Sequence, residues 1–357
     1  MKKGQSRLSG EDLLVDFGDR ILVTGAAGFI GTRLVHILLE RGFTNILCLI
    51  RETSDLSRLK GVINQNNGYG RVELLSGNLL SKENCRAMAK NVVLIYHLAA
   101  GTGTKAFSEA FLNSVVTTRN LLEATLEHKC LRRFVNVSSF AVYNNRHKRT
   151  WQLLDETSPV EQYPESRAEA YCYGKVKQDE LVMEYGGKRH LPYVIMRPGT
   201  VYGPGKIFIP GRVGIDTFGV FLHMGGSNRI PLTYLDNCAE AIMLAGLKKG
   251  VEGEVFNIVD NDLPTSRQFL RLYKKMVRRF KSLYVPHSVS WLFCLFWEKL
   301  SAWSKGQIPA AFTRREWSAY WKKTYYSNEK LKNMLGWSQG VPTEEGLKLF
   351  FDASRDR

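Results

Sequence analysis

The sequence predicts an α/β fold with a doubly wound parallel sheet, followed by a smaller C-terminal domain. Three observations support this prediction. A short apolar run at 21–23 leads into a glycine-rich turn and then an amphipathic segment, which is the pattern of strand, turn and helix. Further apolar runs alternate with helical segments. The length of 357 residues suits one large domain or two interlocked ones.

The glycine-rich turn lies between the first predicted strand and the first predicted helix. Gly25, Gly28 and Gly31 occur where a backbone approaches a pyrophosphate and where a helix packs on a sheet. The apolar spacing from Leu34 to Leu39 predicts the helix, whose N-terminus offers free N–H groups to an anion. The turn therefore predicts a dinucleotide-binding site.

The end of the second predicted strand bears on the choice of dinucleotide. Folds of this kind that prefer NAD usually carry an acidic residue here for the ribose hydroxyls. This chain instead has Arg51, followed by Thr53 and Ser54, which suit a 2′-phosphate, so we predict NADP(H) ahead of NAD(H). The alternative is that Arg51 is a solvated charge and Asp55 binds the ribose.

More strands are predicted after this first unit. The apolar runs at 71–79, 92–100 and 133–143 each end in small or polar residues. The segment 114–129 between two of them has helical spacing. This alternation predicts further strands of the same parallel sheet.

Composition narrows the class of partner. The formal net charge of +16 indicates affinity for a phosphorylated substrate, an anionic membrane surface or, least favoured because no such module is visible, nucleic acid. The six cysteines are scattered singly, without C-x-x-C pairs or suitably spaced histidines, which argues against a metal site and a disulfide framework. Two lysines near the N-terminus precede no apolar run, so we expect no secretory signal and a cytoplasmic location.

Two overlapping Tyr-x-x-x-Lys pairs are candidates for proton transfer: Tyr171 with Lys175, and Tyr173 with Lys177. Residues four apart share a helix face, so a lysine ammonium can stabilise its tyrosine's phenolate. Residues two apart point in roughly opposite directions, so at most one pair faces a given site. The same spacing recurs elsewhere in the chain, so the motif alone does not identify which pair is catalytic.

Seven motifs run in order between about residues 20 and 260: TGAAGFIG at 24–31, HLAA at 97–100, NSVVTTRNLLEA at 113–124, VSSFAVY at 137–143, Tyr171 with Lys175, RPGTVYGPG at 197–205 and YLDNCAEAI at 234–242. In this order and spacing they resemble the extended short-chain dehydrogenase/reductase superfamily, including its NAD-dependent epimerase/dehydratase group. The resemblance implies a Rossmann domain and NAD(P)-dependent chemistry.

The resemblance also selects one of the two tyrosine–lysine pairs. The family's catalytic lysine typically follows a small residue and is itself followed, four residues later, by an acid. Lys175 has Gly174 before it and Asp179 after it. Tyr171 and Lys175 are therefore the expected catalytic pair.

The third catalytic residue implied by the resemblance is a hydroxyl. It corresponds to Ser139, with Ser138 as the alternative. Ser139 is expected to hydrogen-bond the substrate oxygen and Tyr171 to take or give the proton. Lys175 is expected to lower the tyrosine pKa towards neutrality and to hold the nicotinamide ribose.

Neighbouring positions restrict the reaction. Family members that eliminate water carry Asp-Glu directly after the catalytic hydroxyl residue, where this chain has Phe140 and Ala141. A dehydratase is thus disfavoured, which leaves epimerisation through a transient ketone, or oxidation or reduction of an alcohol. His97, at a strand end, is expected to pack near the cofactor rather than act as a base.

The resemblance further implies a set of cofactor contacts. Asn78 stands where the family often has an aspartate, and we expect it to hydrogen-bond an adenine edge without a carboxylate. The expected cofactor-binding residues are Gly25, Gly28, Phe29, Ile30, Gly31, Arg51, Asn78, Leu79, Leu98, Ala99, Ala100, Lys175 and Pro198.

A domain division follows from the same likeness. We expect an N-terminal extension at 1–19 and a dinucleotide-binding domain at 20–204, to which elements around 232–260 return. A smaller substrate-binding domain is expected from 205–231 and 261–357.

The substrate is predicted less directly. Arg229, seven residues before Asp236, matches an arginine that grips the nucleotide diphosphate in sugar epimerases, and Arg212 would add to a basic pocket. Thr200 stands where sugar-nucleotide enzymes usually have asparagine, and the aromatic residues near 280–300 resemble 3β-hydroxysteroid dehydrogenase relatives. A nucleotide sugar is the first prediction. An apolar alcohol is the alternative substrate. The second alternative for the function is a non-catalytic NADP-binding scaffold or regulator.

An aromatic segment at 284–303 carries a separate hypothesis. The apolar run from Trp291 to Trp297 is flanked by basic residues and is too short to span a bilayer. It predicts either a buried helix or substrate lid, or an interfacial helix resting on anionic lipid. The resemblance also implies a homodimer through the helices that carry 113–124 and 171–185.

Overall fold

The computed structural model describes residues 13–66, 70–101, 103, 106–167, 169–206, 208–217, 219–305, 307–308 and 312–355. Within them the strands are β1 (Arg20–Thr24), β2 (Asn45–Ile50), β3 (Arg71–Ser76), β4 (Val92–His97), β5 (Arg133–Val137), β6 (Gln152–Leu154), β7 (Tyr193–Pro198), β8 (Thr200–Tyr202), β9 (Gly214–Thr217), β10 (Val220–His223), β11 (Leu232–Tyr234), β12 (Val255–Ile258), β13 (Ser282–Tyr284) and β14 (Thr324–Tyr326). The α-helices are α1 (Phe29–Glu40), α2 (Ser57–Gln65), α3 (Lys82–Ala89), α4 (Phe107–Phe111), α5 (Thr117–His128), α6 (Ala170–Arg189), α7 (Leu235–Leu247), α8 (Ser266–Met276), α9 (His287–Trp303), α10 (Arg314–Tyr320), α11 (Glu329–Leu335) and α12 (Thr343–Arg355).

The central sheet is parallel throughout. Among the described residues it has seven strands in the order β12-β7-β5-β4-β1-β2-β3. The chain moves outward from β1 to β3, then crosses back to β4 on the other side of β1. This reversal leaves a crevice at the carboxyl ends of β1 and β4.

Both faces of the sheet are buried because side chains alternate along each strand. In β1, Ile21 and Val23 belong to a core shared with α1 and α7. Leu22 points the other way, into a core shared with α3, α5 and α6. Helices therefore cover both faces, and the predicted doubly wound fold is confirmed.

Of the strands after β7, β12 belongs to the central sheet and the others to smaller sheets. β12 joins the edge of the central sheet, and α7 packs on α1, where Asp236 pairs with Arg33 at 2.8 Å. β11 instead pairs with β8 in a separate two-stranded sheet. The other described sheets are three-stranded, β13-β10-β9, and two-stranded, where β14 pairs with β6 from the segment between β5 and β7.

The predicted N-terminal extension falls partly on residues 1–12, which lie outside the described residues. Its described part belongs to the core. Leu13 and Val15 are buried, and the Leu14 N–H donates to the Leu247 carbonyl at the end of α7 (2.8 Å).

Candidate active site

A groove of about 1560 Å³ runs along the carboxyl ends of the central strands. Loops after parallel strands meet at this edge, so residues distant in sequence are brought together. Sixteen of the eighteen predicted site residues line the groove: Gly25, Gly28, Phe29, Ile30, Gly31, Arg51, Asn78, Leu79, Leu98, Ala99, Ala100, Ser139, Tyr171, Lys175, Pro198 and Thr200.

The turn after β1 has the shape expected of a phosphate-binding turn. Gly25 has a φ of +70°, the left-handed region that favours glycine. A Cβ on Gly31 would lie 2.1 Å from the Gly25 carbonyl oxygen, so only glycine fits there. α1 begins at Phe29, and the first N–H groups of a helix have no intrahelical acceptor. These donors and the close turn fit the pyrophosphate of a dinucleotide.

Three basic side chains line the groove near the end of β2 and the loop after β8. Arg51 was predicted, whereas Arg58 and Lys206 were not. The Arg58 guanidinium donates to the Gly205 carbonyl at 3.0 Å, and the Lys206 ammonium lies 5.6 Å from the centre of the Phe29 ring. No short-range sequence pattern links α2 to residues about 150 positions away, which is why sequence reasoning missed them.

Acidic groups line the same groove. The Asp55 carboxylate accepts from the Ser57 N–H at 2.9 Å, and this bond lowers the pKa of Asp55. Glu52 is also a lining residue. Ser54 accepts from the Arg51 N–H at 3.1 Å, which orders the loop that carries these charges.

The three predicted catalytic residues converge from β5 and α6. Ser139 follows β5, and its Oγ accepts from the Ala141 N–H at 3.1 Å. Tyr171 and Lys175 lie one turn apart on α6, so both face the groove. The Tyr171 hydroxyl hydrogen-bonds the Ser139 side chain. A hydroxyl, a phenol and an ammonium thus meet at one wall of the groove.

Burial controls the ionisation of this group. The Lys175 ammonium donates to the Val137 carbonyl (2.6 Å) and to Gln178 Oε1 (2.8 Å), and burial lowers the pKa of Lys175 to about 8. Burial also raises the pKa of Tyr171 to about 12, while the Ser139 hydrogen bond acts in the opposite direction. The expected lowering of the Tyr171 pKa towards neutrality is therefore not found in this structure, because desolvation of the phenol dominates.

The competing tyrosine–lysine pair lies outside the groove. Tyr173 packs edge-on against the Phe107 ring, with the ring centres 5.3 Å apart. Lys177 forms an ion pair with Glu180 at 2.9 Å. Neither residue lines the groove.

The alternative serine, Ser138, also lines the groove, but its hydroxyl belongs to a buried hydrogen-bond network. Ser138 Oγ donates to the Asp179 carboxylate at 2.8 Å, which also accepts from Asn136 and forms an ion pair with Arg197 at 3.1 Å. Burial raises the pKa of Asp179, and the Arg197 guanidinium opposes that shift. Because the Ser138 hydroxyl is directed at this carboxylate, Ser139 is the serine that meets Tyr171.

His97 is buried, and its pKa is lowered to about 3 by desolvation, so the ring is neutral. Thr118 donates to the Ser114 carbonyl and therefore accepts from His97 Nε2 at 2.8 Å. Thr24 hydrogen-bonds the other ring nitrogen, also at 2.8 Å. Gln178 donates to Thr118 as well, so His97 braces the wall behind Lys175, as a packing residue would.

Two of the predicted substrate residues do not line the groove. Arg212 is buried and donates to the Ala319 carbonyl, with its guanidinium 5.3 Å from the centre of the Tyr320 ring. Arg229 donates to the Leu263 carbonyl at 3.3 Å. Their guanidiniums are engaged by carbonyl and ring partners, and Tyr320 is the side chain from this region that lines the groove.

The six cysteines are free. Burial raises the pKa of Cys172, next to Tyr171, to about 12, so its thiol is protonated at neutral pH. Among the described residues, no group of three or more His, Cys, Asp or Glu side chains is arranged to hold a metal ion.

Comparison with solved structures shows the same fold. UDP-glucuronic acid 4-epimerase from Bacillus cereus, in complex with NAD, matches with a TM-score of 0.70 and 22% identity, covering 94% of this chain and 99% of that one. The structure of gox2253 matches with a TM-score of 0.74 and 24% identity, covering 95% and 98%.

Sequence comparison identifies relatives that differ in length. The trifunctional UDP-glucose 4,6-dehydratase/UDP-4-keto-6-deoxy-D-glucose 3,5-epimerase/UDP-4-keto-L-rhamnose-reductase RHM1 of Arabidopsis thaliana is 30% identical over 93% of this chain, which spans 46% of that protein. The chain spans 36% of two other Arabidopsis trifunctional proteins. The dTDP-D-glucose 4,6-dehydratase of Mus musculus is 24% identical over 93% of this chain and 87% of that protein.

The family model described as the NAD dependent epimerase/dehydratase family matches residues 21–259. The matched region contains the glycine turn, the three residues Ser139, Tyr171 and Lys175, and the strands that bring them together. It also contains all seven motifs that carried the resemblance. The chain therefore belongs to the NAD-dependent epimerase/dehydratase family, within the extended short-chain dehydrogenase/reductases.

Proposed function

We propose that this protein is an NAD(P)-dependent enzyme that epimerises, oxidises or reduces a secondary alcohol or ketone of a nucleotide sugar. The observation that carries the proposal is the convergence of Ser139, Tyr171 and Lys175 in the groove that also holds the glycine turn. The named relatives support the substrate class, because their names specify UDP- or dTDP-linked sugars.

The groove fits a dinucleotide. Gly25, Gly28 and Gly31 would hold its pyrophosphate, and Lys175 would donate to its nicotinamide ribose. When bound, the nicotinamide would accept or supply a hydride.

The proton is handled by the chain's own residues. Ser139 would hydrogen-bond the substrate oxygen, and Tyr171 would exchange a proton with that oxygen. With a pKa of about 12, Tyr171 is a neutral phenol at pH 7 and is ready to donate to a ketone oxygen. Taking a proton from an alcohol requires a stabilised phenolate, and Lys175, one turn along α6, would supply a positive charge for that purpose.

The ionisation of Lys175 predicts a pH effect on cofactor binding. Its pKa is lowered to about 8, so the ammonium is present below that pH and lost above it. Because a charged donor makes a stronger hydrogen bond, NAD(P)H affinity should fall about tenfold as the pH rises from about 7 to 9. Fluorescence titration of NAD(P)H at several pH values measures this.

Lys177→Met is the matched control, because Lys177 lies on the same helix but outside the groove. It should retain the wild-type pH profile, whereas Lys175→Met should bind more weakly and lose the pH dependence. A wild-type affinity that stays constant up to about pH 10, the range of an ordinary lysine, would contradict the assignment.

The residues after Ser139 favour epimerisation or redox chemistry over dehydration. Phe140 and Ala141 are buried, and the Phe140 ring stacks on Tyr326 with centres 5.7 Å apart. Neither side chain can donate or accept the proton that loss of water requires. We therefore do not transfer the dehydratase activities named for the relatives to this chain.

The apolar-alcohol alternative receives less support from the geometry. It depended on the aromatic segment forming a substrate wall, and no residue of α9 lines the groove. Thr200 and Tyr320, which do line it, offer hydroxyl groups suited to a polar substrate.

We propose NADP(H) as the preferred cofactor. Arg51, Arg58 and Lys206 supply three positive charges to the groove, against Glu52 and Asp55. Arg51→Ala should weaken NADP(H) binding about tenfold and NAD(H) binding much less, since only the former carries a 2′-phosphate. Equal effects on both cofactors would favour the reading in which Arg51 is only a solvated charge.

The proposed assembly is a homodimer through the helices that carry 113–124 and 171–185, which are the π-helical turn Leu112–Val116 with α5, and α6. These elements carry exposed apolar side chains, including Leu112 and Met183. Sedimentation velocity on the wild type and on Leu112→Glu tests this, with dissociation of the variant as the supporting result.

The substrate assignment is tested by presenting UDP-, GDP- and dTDP-sugars, and separately sterols, to the protein saturated with cofactor. Turnover of a nucleotide sugar, detected as a change in nicotinamide absorbance or as an epimeric product, supports the proposal. Turnover of sterols alone would support the apolar alternative. Cofactor binding without turnover of either class would support a non-catalytic scaffold.

A further inference from the structure

Helix α9 exposes an apolar face. Leu292, Phe296 and Trp303 are 58%, 63% and 81% exposed, and Val289 and Phe293 are also exposed. Their spacing of three, four and seven residues puts them on one side of the helix. The opposite side is anchored to the protein through buried positions such as Cys294.

This face groups several large apolar side chains on one side of a single helix. Single exposed apolar side chains are common, but a contiguous patch of large ones marks an interaction site. Leu283 and Tyr284 of β13, which precede the helix in the chain, are exposed as well. Since no α9 residue lines the catalytic groove, the patch is not a wall of the active site.

Positive charge lies at both ends of the helix. On its N-terminal side, the segment 274–281 carries five lysines and arginines and no acidic residue. On its C-terminal side is a cavity of about 480 Å³ whose lining includes Arg146, Lys305, Arg314 and Arg315, with Glu298 as the acidic lining residue.

The charges of this cavity are only partly neutralised. Arg314 pairs with Glu298 at 2.6 Å, and Arg315 pairs with Glu161 at 2.7 Å. Arg146 and Lys305 are exposed to solvent. The cavity therefore retains positive charge beside the end of the apolar face, an arrangement that complements anionic headgroups next to an acyl layer.

We infer that α9 docks in the plane of an anionic membrane surface. Its apolar face enters the boundary between headgroups and acyl chains, while the basic segment 274–281 and the C-terminal cavity contact lipid phosphates. At 17 residues the helix is about 25 Å long, suited to lying in the interface. No helix in the part of the chain that the structure describes is long and apolar enough to cross a bilayer.

The test is co-sedimentation of the full chain with vesicles of phosphatidylcholine, alone or mixed with phosphatidylserine. Wild-type protein should bind the anionic vesicles preferentially and be released by salt. Leu292→Glu/Phe296→Glu should reduce the binding about tenfold or more, because two large side chains lose their burial and bring negative charge to the surface. Arg146→Glu/Lys305→Glu should reduce binding to the anionic vesicles similarly.

The matched control is Leu153→Glu/Leu349→Glu, which makes the same change at two exposed leucines outside α9 and should bind vesicles like the wild type. NAD(P)H titration confirms that each variant is folded. Equal binding to neutral and anionic vesicles, no binding, or unchanged binding of Leu292→Glu/Phe296→Glu would overturn the inference. So would dissociation of an oligomer by that variant in sedimentation velocity without any vesicle binding, since a second copy would then cover the face.

Discussion

Tyr171→Phe is expected to reduce kcat by about a thousandfold while the protein remains folded and binds its cofactor. The substitution removes the hydroxyl that is proposed to exchange a proton with the substrate oxygen, and general acid–base catalysis contributes on the order of this factor. The phenyl ring that remains fills nearly the same volume, so little change in stability is expected. Steady-state kinetics measures the effect, with whichever of the UDP-, GDP- and dTDP-sugars the wild-type protein turns over as the substrate.

Tyr173→Phe provides the matched control, because it removes a hydroxyl two residues away on the same helix. Tyr173 packs against Phe107 and does not line the groove, so kcat should stay within about twofold of the wild type. The reverse pattern, with Tyr173→Phe inactive and Tyr171→Phe active, would refute the catalytic assignment.

Gly31→Ala is expected to weaken NAD(P)H binding about a hundredfold and to lower the melting temperature. The new Cβ would lie 2.1 Å from the Gly25 oxygen and 2.8 Å from the Ala26 Cα, both of them backbone atoms. The turn must shift, which costs on the order of 1–3 kcal/mol and displaces the donors proposed to hold the pyrophosphate. Cofactor titration and thermal unfolding measure the two effects.

Gly61→Ala is the control for this prediction. Gly61 lies within α2, and a Cβ there would meet nothing within 4 Å. Alanine favours the helix by up to about 1 kcal/mol, so this variant should be as stable as the wild type or more so, with unchanged cofactor affinity. If Gly31→Ala also left affinity unchanged, the glycine turn would not be the cofactor site.

Patterns over short stretches predicted much of the groove. Tyr171 and Lys175 were selected partly because a small residue precedes the lysine, and the structure supplies the reason. A Cβ on Gly174 would lie 3.1 Å from Ser114 Oγ and 3.2 Å from the Ala110 carbonyl oxygen, so a larger side chain would push α6 away.

Long-range packing explains the residues that sequence reasoning missed or misplaced. Arg58 comes to the groove from the start of α2, Lys206 from the loop after β8, and Tyr320 from α10. Arg229 was predicted from its distance to Asp236, and Arg212 was expected to add to the same basic pocket, but the guanidiniums of both donate to carbonyl groups outside the groove. Separation along the chain does not determine the direction in which such side chains point.

The sequence by itself determined the doubly wound sheet, the glycine turn and the pairing of a tyrosine with a lysine. These features depend on the periodicity of residues along a strand or helix and on backbone conformations that glycine adopts readily. Only the tertiary structure decided the ionisation of Tyr171 and Lys175, the basic rim of the groove and the exposure of the apolar face of α9. Each of these depends on which groups from distant segments exclude water from a side chain, and desolvation is a property of the packed molecule.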